Sequence, residues 1–298
     1  MASRHKTVAL CRAFLQNPID AHSRDPEFIS NPGRRVPCAL ELLDLFDRDR
    51  RFAALVDPGR FGFGNALEPD VRAPGSMPLH CEQALGVMRE ADIRDPRLAI
   101  GVCDYLVSVA EPSGRVEIVS QQLSLYPCAA HWTGSFAPDS PNPTAGLVGL
   151  LRFQAIEHGW LSRATRWCEQ RFTRPLEDAH EVLCAMRFFE HANDRKSAQE
   201  AAVRLASLVS RARLFRADAS STEYGVTPLQ ICPTPGSIAR PAFPDVVLNA
   251  HLEAVAARQQ EDGGWPITWA PPSQAAECEW RGRLTYEALR LLHSWDRI

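Results

Sequence analysis

Near its C-terminus the chain reads Arg258-Gln259-Gln260-Glu261-Asp262-Gly263-Gly264-Trp265-Pro266, and the architecture follows from this stretch. A glutamine, a glycine and a tryptophan stand here as Q-x-x-x-G-x-W. A helix running up to Gln259 leaves its last carbonyls without partners, and the two glycines allow a turn that side chains would forbid. Trp265 then offers a broad face for the preceding segment to pack on. The amide of Gln259 is expected to bond backbone groups at the start of the next helix, a contribution of about 1 kcal/mol when buried. The motif Gln259, Gly263 and Trp265 is therefore structural by its own physics: it ties an outer helix to an inner one.

Outward from that hinge, apolar residues recur at helical spacing. Leu248, Leu252 and Val255 precede it, and Leu284, Ala288, Leu291, Leu292 and Trp295 follow it. Further upstream come Cys81, Ala84, Leu85 and Met88, then Leu98, Val102, Tyr105, Leu106 and Val109. The series continues with Leu147, Leu150, Leu151 and Ala155, with Trp160, Ala164, Trp167 and Cys168, with Val182, Met186 and Phe189, and with Ala198, Ala201, Leu205 and Val209. Strand-like alternation is rare, and the best case, Arg115 to Val119, predicts a short ribbon in a loop. Asp95-Pro96 and Asn142-Pro143 each set a capping side chain before a proline at the first helical position. A helix near 176–191 would carry Glu177 and Asp178 in its first turn, where acids suit the helix dipole. Proline-rich connections at 126–143 and 227–244 are too long for tight hairpins and are candidate rim or lid loops. No composition shift marks a boundary, so one domain over 1–298 is expected, with residues 1–75 showing the weakest periodicity.

Composition is that of a globular chain: 45% hydrophobic, 23% charged, formal net charge -3. Near-neutrality argues against non-specific nucleic-acid binding, and the runs Arg48 to Arg51 and Arg211, Arg213, Arg216 suit solvated helix edges. The nine cysteines stand singly, with no C-x-x-C pair and no Cys/His cluster at ligand spacing, which fits reduced thiols and a cytoplasmic setting. The N-terminal residues carry no signal-peptide pattern, and no apolar run reaches the ~18 residues of a membrane helix.

The segment around Gln259 and Trp265 resembles the repeated Gln/Trp motif of the terpenoid-cyclase and prenyltransferase superfamily, which includes squalene–hopene cyclases and protein prenyltransferase β subunits. A weaker echo, without the glutamine or the tryptophan, ends in a glycine turn at Tyr105 to Gly114. Tyr126-Pro127, Asn142 to Ala145, Gly225 to Pro228, Asp262 to Trp269 and Glu279 to Gly282 are similar to a group of actinobacterial prenyltransferase-like proteins. The likeness covers roughly residues 95–298. It implies an all-α fold, an (α/α) toroid in which an outer ring of helices wraps an inner ring.

The chemistry of that superfamily is not carried over. The Asp-x-Asp-Asp motif that protonates alkenes has its nearest counterpart in Asp44-Leu-Phe-Asp47-Arg-Asp49, whose spacing is wrong. Asp44 and Asp47 share a helix face while Asp49 points elsewhere, and the neighbouring arginines make this an ordinary solvated edge. There is no Asp-Asp-x-x-Asp magnesium motif and no Gly-rich phosphate loop, and Cys103-Asp104 are adjacent where zinc ligands should be two apart. No metal and no cofactor is predicted.

In a toroid, one end of the inner ring collects the loops that lead into inner helices. Those loops would carry His131-Trp132, Glu177-Asp178 with His180, Tyr224, and Glu279-Trp280-Arg281. Asp178 or Glu279 would serve as proton donor with His180 beside them, since a carboxyl in an apolar pocket keeps its proton to higher pH. His131, Trp132, Tyr224, Trp280 and Arg281 would line the substrate, the aromatic faces sheltering a cation. Structural roles compete at each position: first-turn acids at 177 and 178, ion pairing for Glu279 and Arg281, packing for Trp265 and Trp269.

Three functions stay open on these grounds. One is a cyclase- or isomerase-like enzyme that uses acid catalysis on a hydrophobic small molecule, such as an isoprenoid, in an aromatic-lined cavity. The second is a non-catalytic toroid that binds a ligand or another protein. The third is a carbohydrate-active (α/α) barrel with two carboxylates flanking a cleft.

Overall fold

The computed structural model describes residues 67–298 apart from 74, 121, 122, 124 and 135. The acidic string Asp44 to Asp49, the run Arg48 to Arg51, Cys11, Cys38 and most of the weakly periodic 1–75 segment lie outside the described residues. Among the described residues the protein is all-α. Its helices are α1 (Pro78–Glu90), α2 (Pro96–Val109), α3 (Thr144–Phe153), α4 (Gly159–Arg171), α5 (Ala179–Glu190), α6 (Arg195–Ala206), the single turn α7 (Pro228–Ile231), α8 (Asp245–Ala257) and α9 (Gln274–Ser294).

Each apolar face proposed from periodicity falls on one of these helices, except that Ala155, Val209 and Trp295 lie just past the ends of α3, α6 and α9; central residues are in the core, as with Leu85 and Met88 on α1, Val102 and Leu106 on α2, Leu147 and Leu151 on α3, Trp160 on α4. The helix starts are set by side chains. Asp95 accepts from the backbone of Arg97 and Leu98, Asp178 from His180, and Ser273 from Ala276. Each bond satisfies a donor that the first turn leaves orphaned, which is worth about 1 kcal/mol.

Two local expectations are corrected. Pro143, not Asn142, occupies the N-cap of α3, so Asn142 does no capping; its Oδ1 instead accepts from the Cys184 thiol on α5. Residues 115–119 form no strand. They run extended along the start of α3, where the buried Thr144 hydroxyl bonds both N and O of Val116, and Leu79 donates to Ile118. With that backbone already paired, a partner strand is not needed.

The odd-numbered helices pack side by side, α1 on α3, α3 on α5 and α5 on α7, while α2, α4, α6 and α8 lie against them or against each other. α3 and α5 approach each other closely. A Cβ at Gly149 would stand 2.1 Å from the Arg187 carbonyl oxygen, so only glycine lets these two backbones meet. The last helix returns to the first: Arg290 of α9 pairs with Glu90 of α1 at 2.9 Å, and Arg283 bonds Gln83.

The Gln259–Trp265 hinge joins α8 to α9. Gly263 takes φ +89°, the left-handed conformation that glycine adopts without strain. The Trp265 indole N–H donates to the Val255 carbonyl of α8 at 2.7 Å, and its backbone N–H donates to Thr285 Oγ1 of α9 at 3.2 Å. The amide of Gln259 donates to the Gly263 carbonyl within its own turn. Trp265 cross-links α8 to α9. Gly114 ends α2's turn in the same way, at φ +92° and packed on the backbone of Ala164. Among the described residues, no helix is long and apolar enough to cross a membrane.

Candidate functional site

The segments that lead into α1, α3, α5, α7 and α9 come together. At their meeting point Asp178, the N-cap of α5, accepts from Nδ1 of His180 at 2.8 Å, and Nε2 of His180 lies 2.8 Å from the Tyr224 hydroxyl. The two rings are nearly parallel, at 18° and 5.8 Å. In a neutral ring whose Nδ1–H is committed to the carboxylate, Nε2 is bare and accepts a hydrogen bond from the Tyr224 hydroxyl. Arg213 reaches the other Asp178 oxygen at 3.5 Å from a largely exposed position. Burial lifts the Asp178 carboxyl, but the bonds from the His180 ring and backbone, with Arg213, outweigh it and hold the group below its ordinary range. Asp178 thus stays ionised, and its geometry is that of an orienting acceptor.

From Tyr224 an aromatic wall continues edge to face through Trp269, 5.4 Å away, to Trp280 at 4.9 Å. The guanidinium of Arg283 covers one face of Trp280 at 5.0 Å. The Trp269 N–H donates to Oδ2 of Asp70 at 2.9 Å, and Nε2 of the half-exposed His131 stands 3.8 Å from the same oxygen. His131 contacts Trp132, with ring centres 5.0 Å apart. Burial depresses the His131 pKa, against the pull of Asp70, which keeps the imidazole neutral.

Asp70 and its neighbour Glu68 were not among the residues singled out from sequence. Glu68 and Asp70 lie in a turn closed by the Val71 N–H on the Glu68 carbonyl, just before Val71 and Ala73 enter a small apolar cluster with Met77, Leu79, Ile118 and Leu123. A turn of this kind carries no periodic signal in the sequence. The segment is held by Val71 bridging Cys128, Ala129 donating to the Asp70 carbonyl and Arg72 donating to that of Pro127. Glu68 is 3% exposed and accepts from Gln83 at 2.9 Å. Burial raises its pKa to about 8; Arg283 opposes the rise and the negative charge of Asp70 adds to it. Glu68 is thus a neutral acid at pH 7. Tyr224 moves the same way, to about 12, by burial and by the charges of Glu68, Asp178 and Asp70.

The other expected site residues are placed differently. Glu279 forms a two-pronged pair with Arg72, 2.7 Å and 3.2 Å, which anchors the Glu68–Arg72 segment to α9. Burial raises the Glu279 pKa against those bonds. Arg281 points to the hinge, where it bonds Gln260 at 2.8 Å and Asp262 at 2.6 Å, and it does not join the aromatic wall. Glu177 precedes the cap of α5, outside the helix, and its backbone donates to Glu181. No group of three His, Cys, Asp or Glu at metal-binding distance occurs among the described residues. A cleft of about 410 Å³ is lined by Trp132, Ile118, Val119, Leu123 and Phe136 together with the polar Arg115, Glu117, Ser120, Thr133, Ser140 and Asn142; of the cluster's residues only Trp132 borders it.

The arrangement combines an acid held neutral, a base oriented by a carboxylate, and aromatic edges and faces around them. Pairs of titratable groups whose surroundings drive their protonation apart are what acid–base chemistry at neutral pH requires. Neither a family model, nor a curated protein, nor a solved structure matches this chain. What the residues themselves define is an all-α protein with a polar, aromatic-walled cluster at one end of its odd-numbered helices.

Proposed function

We propose that the helices form an (α/α) toroid, with α1, α3, α5, α7 and α9 as the inner ring, and that the cluster is the active site of a cyclase- or isomerase-like enzyme. The observation that carries this reading is the convergence of five segments, each leading into an odd-numbered helix, on the chain Asp178–His180–Tyr224–Trp269–Asp70–His131. The Arg290–Glu90 and Arg283–Gln83 contacts between last and first helix support ring closure.

In the proposed reaction Glu68 protonates an apolar, olefinic small molecule, of which isoprenoids are the natural type. Tyr224, Trp269 and Trp132 shelter the cation. The Tyr224–His180 pair then removes a proton elsewhere on the skeleton: the phenol oxygen takes it as the phenol's own proton passes to Nε2, and Asp178 stabilises the resulting imidazolium. The acid role thus moves from Asp178 or Glu279 to Glu68, because Asp178 is held ionised and Glu279 is tied to Arg72. A proton is gained and a proton is lost, so the net change is isomerisation or ring closure.

The test is incubation of the full chain in D₂O with squalene, an oxidised polyprene and geranylgeranyl diphosphate, with and without magnesium, followed by mass spectrometry. Deuterium in an isomerised or cyclised product, reduced about a hundredfold in Glu68→Gln and in His180→Gln, supports the reading. No turnover of any of them contradicts it.

A further inference from the structure

The cleft of about 410 Å³ is bordered by main chain along one segment. Arg115 and the run from Glu117 to Ser120 line it, whereas Val116 between them does not. Val116 is turned to α3: the Thr144 hydroxyl accepts from its N–H and donates to its carbonyl. The Ile118 carbonyl accepts from Leu79. In extended chain, successive residues turn their N–H and C=O to opposite edges, so Glu117 turns its pair away from α3. The main-chain N–H and C=O of Glu117 and Val119 have no hydrogen-bond partner among the described residues. The cleft is therefore bordered by a strand edge with open places. That edge is short and centred on Glu117, because the chain bends at Ile118 and Val119. Much of the remaining lining comes from the proline-rich 126–143 connection, with Trp132, Thr133 and Phe136 among it.

We infer that this cleft docks an extended peptide segment of another protein, paired main chain to main chain with the open edge and carrying a lysine or arginine across from Glu117. An unpaired edge is a template for one more strand, and an added strand draws affinity from main-chain bonds and specificity from the side chains beside them. The basic residue follows from the charges of the lining. Glu117 is exposed and makes no ion pair among the described residues, while Arg115, the other charged residue there, is paired with Glu111. A second copy of this chain fits poorly: antiparallel pairing about Glu117 would set it against its own copy, and like charges directly opposite are destabilising. The inference does not rest on the proposed reaction, since of the cluster's residues only Trp132 borders the cleft.

The experiment pans the full chain against phage-displayed random heptapeptides, then titrates the enriched peptide, made synthetically, by calorimetry. Enriched sequences should carry lysine or arginine between apolar residues and bind at about 100 µM or tighter. Two versions are then N-methylated at alternate amides. One should lose at least about tenfold in affinity and the other keep it, because only one edge of the peptide is paired. Replacing the peptide's basic residue by glutamate should cost about tenfold, and Glu117→Lys should invert that preference. Hydrogen exchange reads the parent chain without any substitution. The amides of Glu117 and Val119 should exchange freely and slow at least about tenfold with peptide bound, while that of Val116 stays as it was. The inference is overturned by no enrichment, by enriched peptides without a basic residue, or by two N-methylated versions that bind alike. A preference untouched by Glu117→Lys, Glu117 and Val119 amides already protected in the free chain, or a dimer in sedimentation that protects them, also overturns it.

Discussion

Two tryptophans near the C-terminus, fifteen positions apart by their numbering, have opposite polar environments. At Trp265 the indole N–H is bonded to the Val255 carbonyl, the backbone N–H to Thr285, and the residue is 5% exposed. At Trp280 the indole N–H is just as hidden from water but has no partner among the described residues, and the ring touches Trp269, which in turn bonds a half-paired Asp70. The hinge spends its polar groups on holding two helices together. The cluster holds some of its own in reserve. Stability and function are separated along one stretch of chain, and substitutions should sort accordingly.

The largest effects belong to the structural side. Gly149→Ala would force a Cβ against the α5 backbone, and Trp265→Ala would empty a buried site; each should cost about 3–5 kcal/mol in urea unfolding. If Trp280→Ala costs as much as Trp265→Ala, the contrast between the two indoles fails.

Next comes a pH-dependent effect at Glu68. Its folded pKa of about 8 lies above the ordinary 4.5, so the stability present below pH 4.5 is lost as pH rises through 8. Glu68→Gln, which fixes the neutral form, should match the parent near pH 4.5 and exceed its Tm by about 3 °C or more at pH 9. A constant offset across that range would place Glu68 in an ordinary carboxylate setting. Smaller still is the loss of one N–H. Trp265→Phe should cost about 1–2 kcal/mol, whereas Trp280→Phe should cost under about 0.5 kcal/mol, since it breaks no bond. Last, Tyr224→Phe should shift stability by less than about 1 kcal/mol, because Tyr224 is 40% exposed, while abolishing any proton-transfer activity.

The same division explains what could be read from the sequence. The helices were legible because burial of one face writes a 3.6-residue rhythm, as at Leu147, Leu150 and Leu151. Asp95 was legible as a cap because proline follows it; Asn142-Pro143 has the same form, but the helix begins one residue later. Of the cluster, His131, Trp132, Asp178, His180 and Tyr224 stand on or next to connections between helices, as the order of helices suggests, whereas Glu279, Trp280 and Arg281 lie inside α9 and not in the loop expected to carry them. Asp70 and Glu68 could not be placed, because they sit in a buried turn, where no hydrophobic period marks which side chains face inward. Arg281 was placed with the aromatic residues because its neighbours at 279 and 280 belong there; on a helix, though, adjacent side chains diverge by about 100°, and Arg281 turns to Asp262.

The account rests most on the direction of the hydrogen bonds through His180, and side-chain ¹⁵N NMR reads that directly. At a pH where the ring is neutral, His180 should show a protonated Nδ1, bonded to Asp178, and a bare Nε2 whose shift changes in Tyr224→Phe. A protonated Nε2, or a His180 spectrum indifferent to the loss of the Tyr224 hydroxyl, would contradict it.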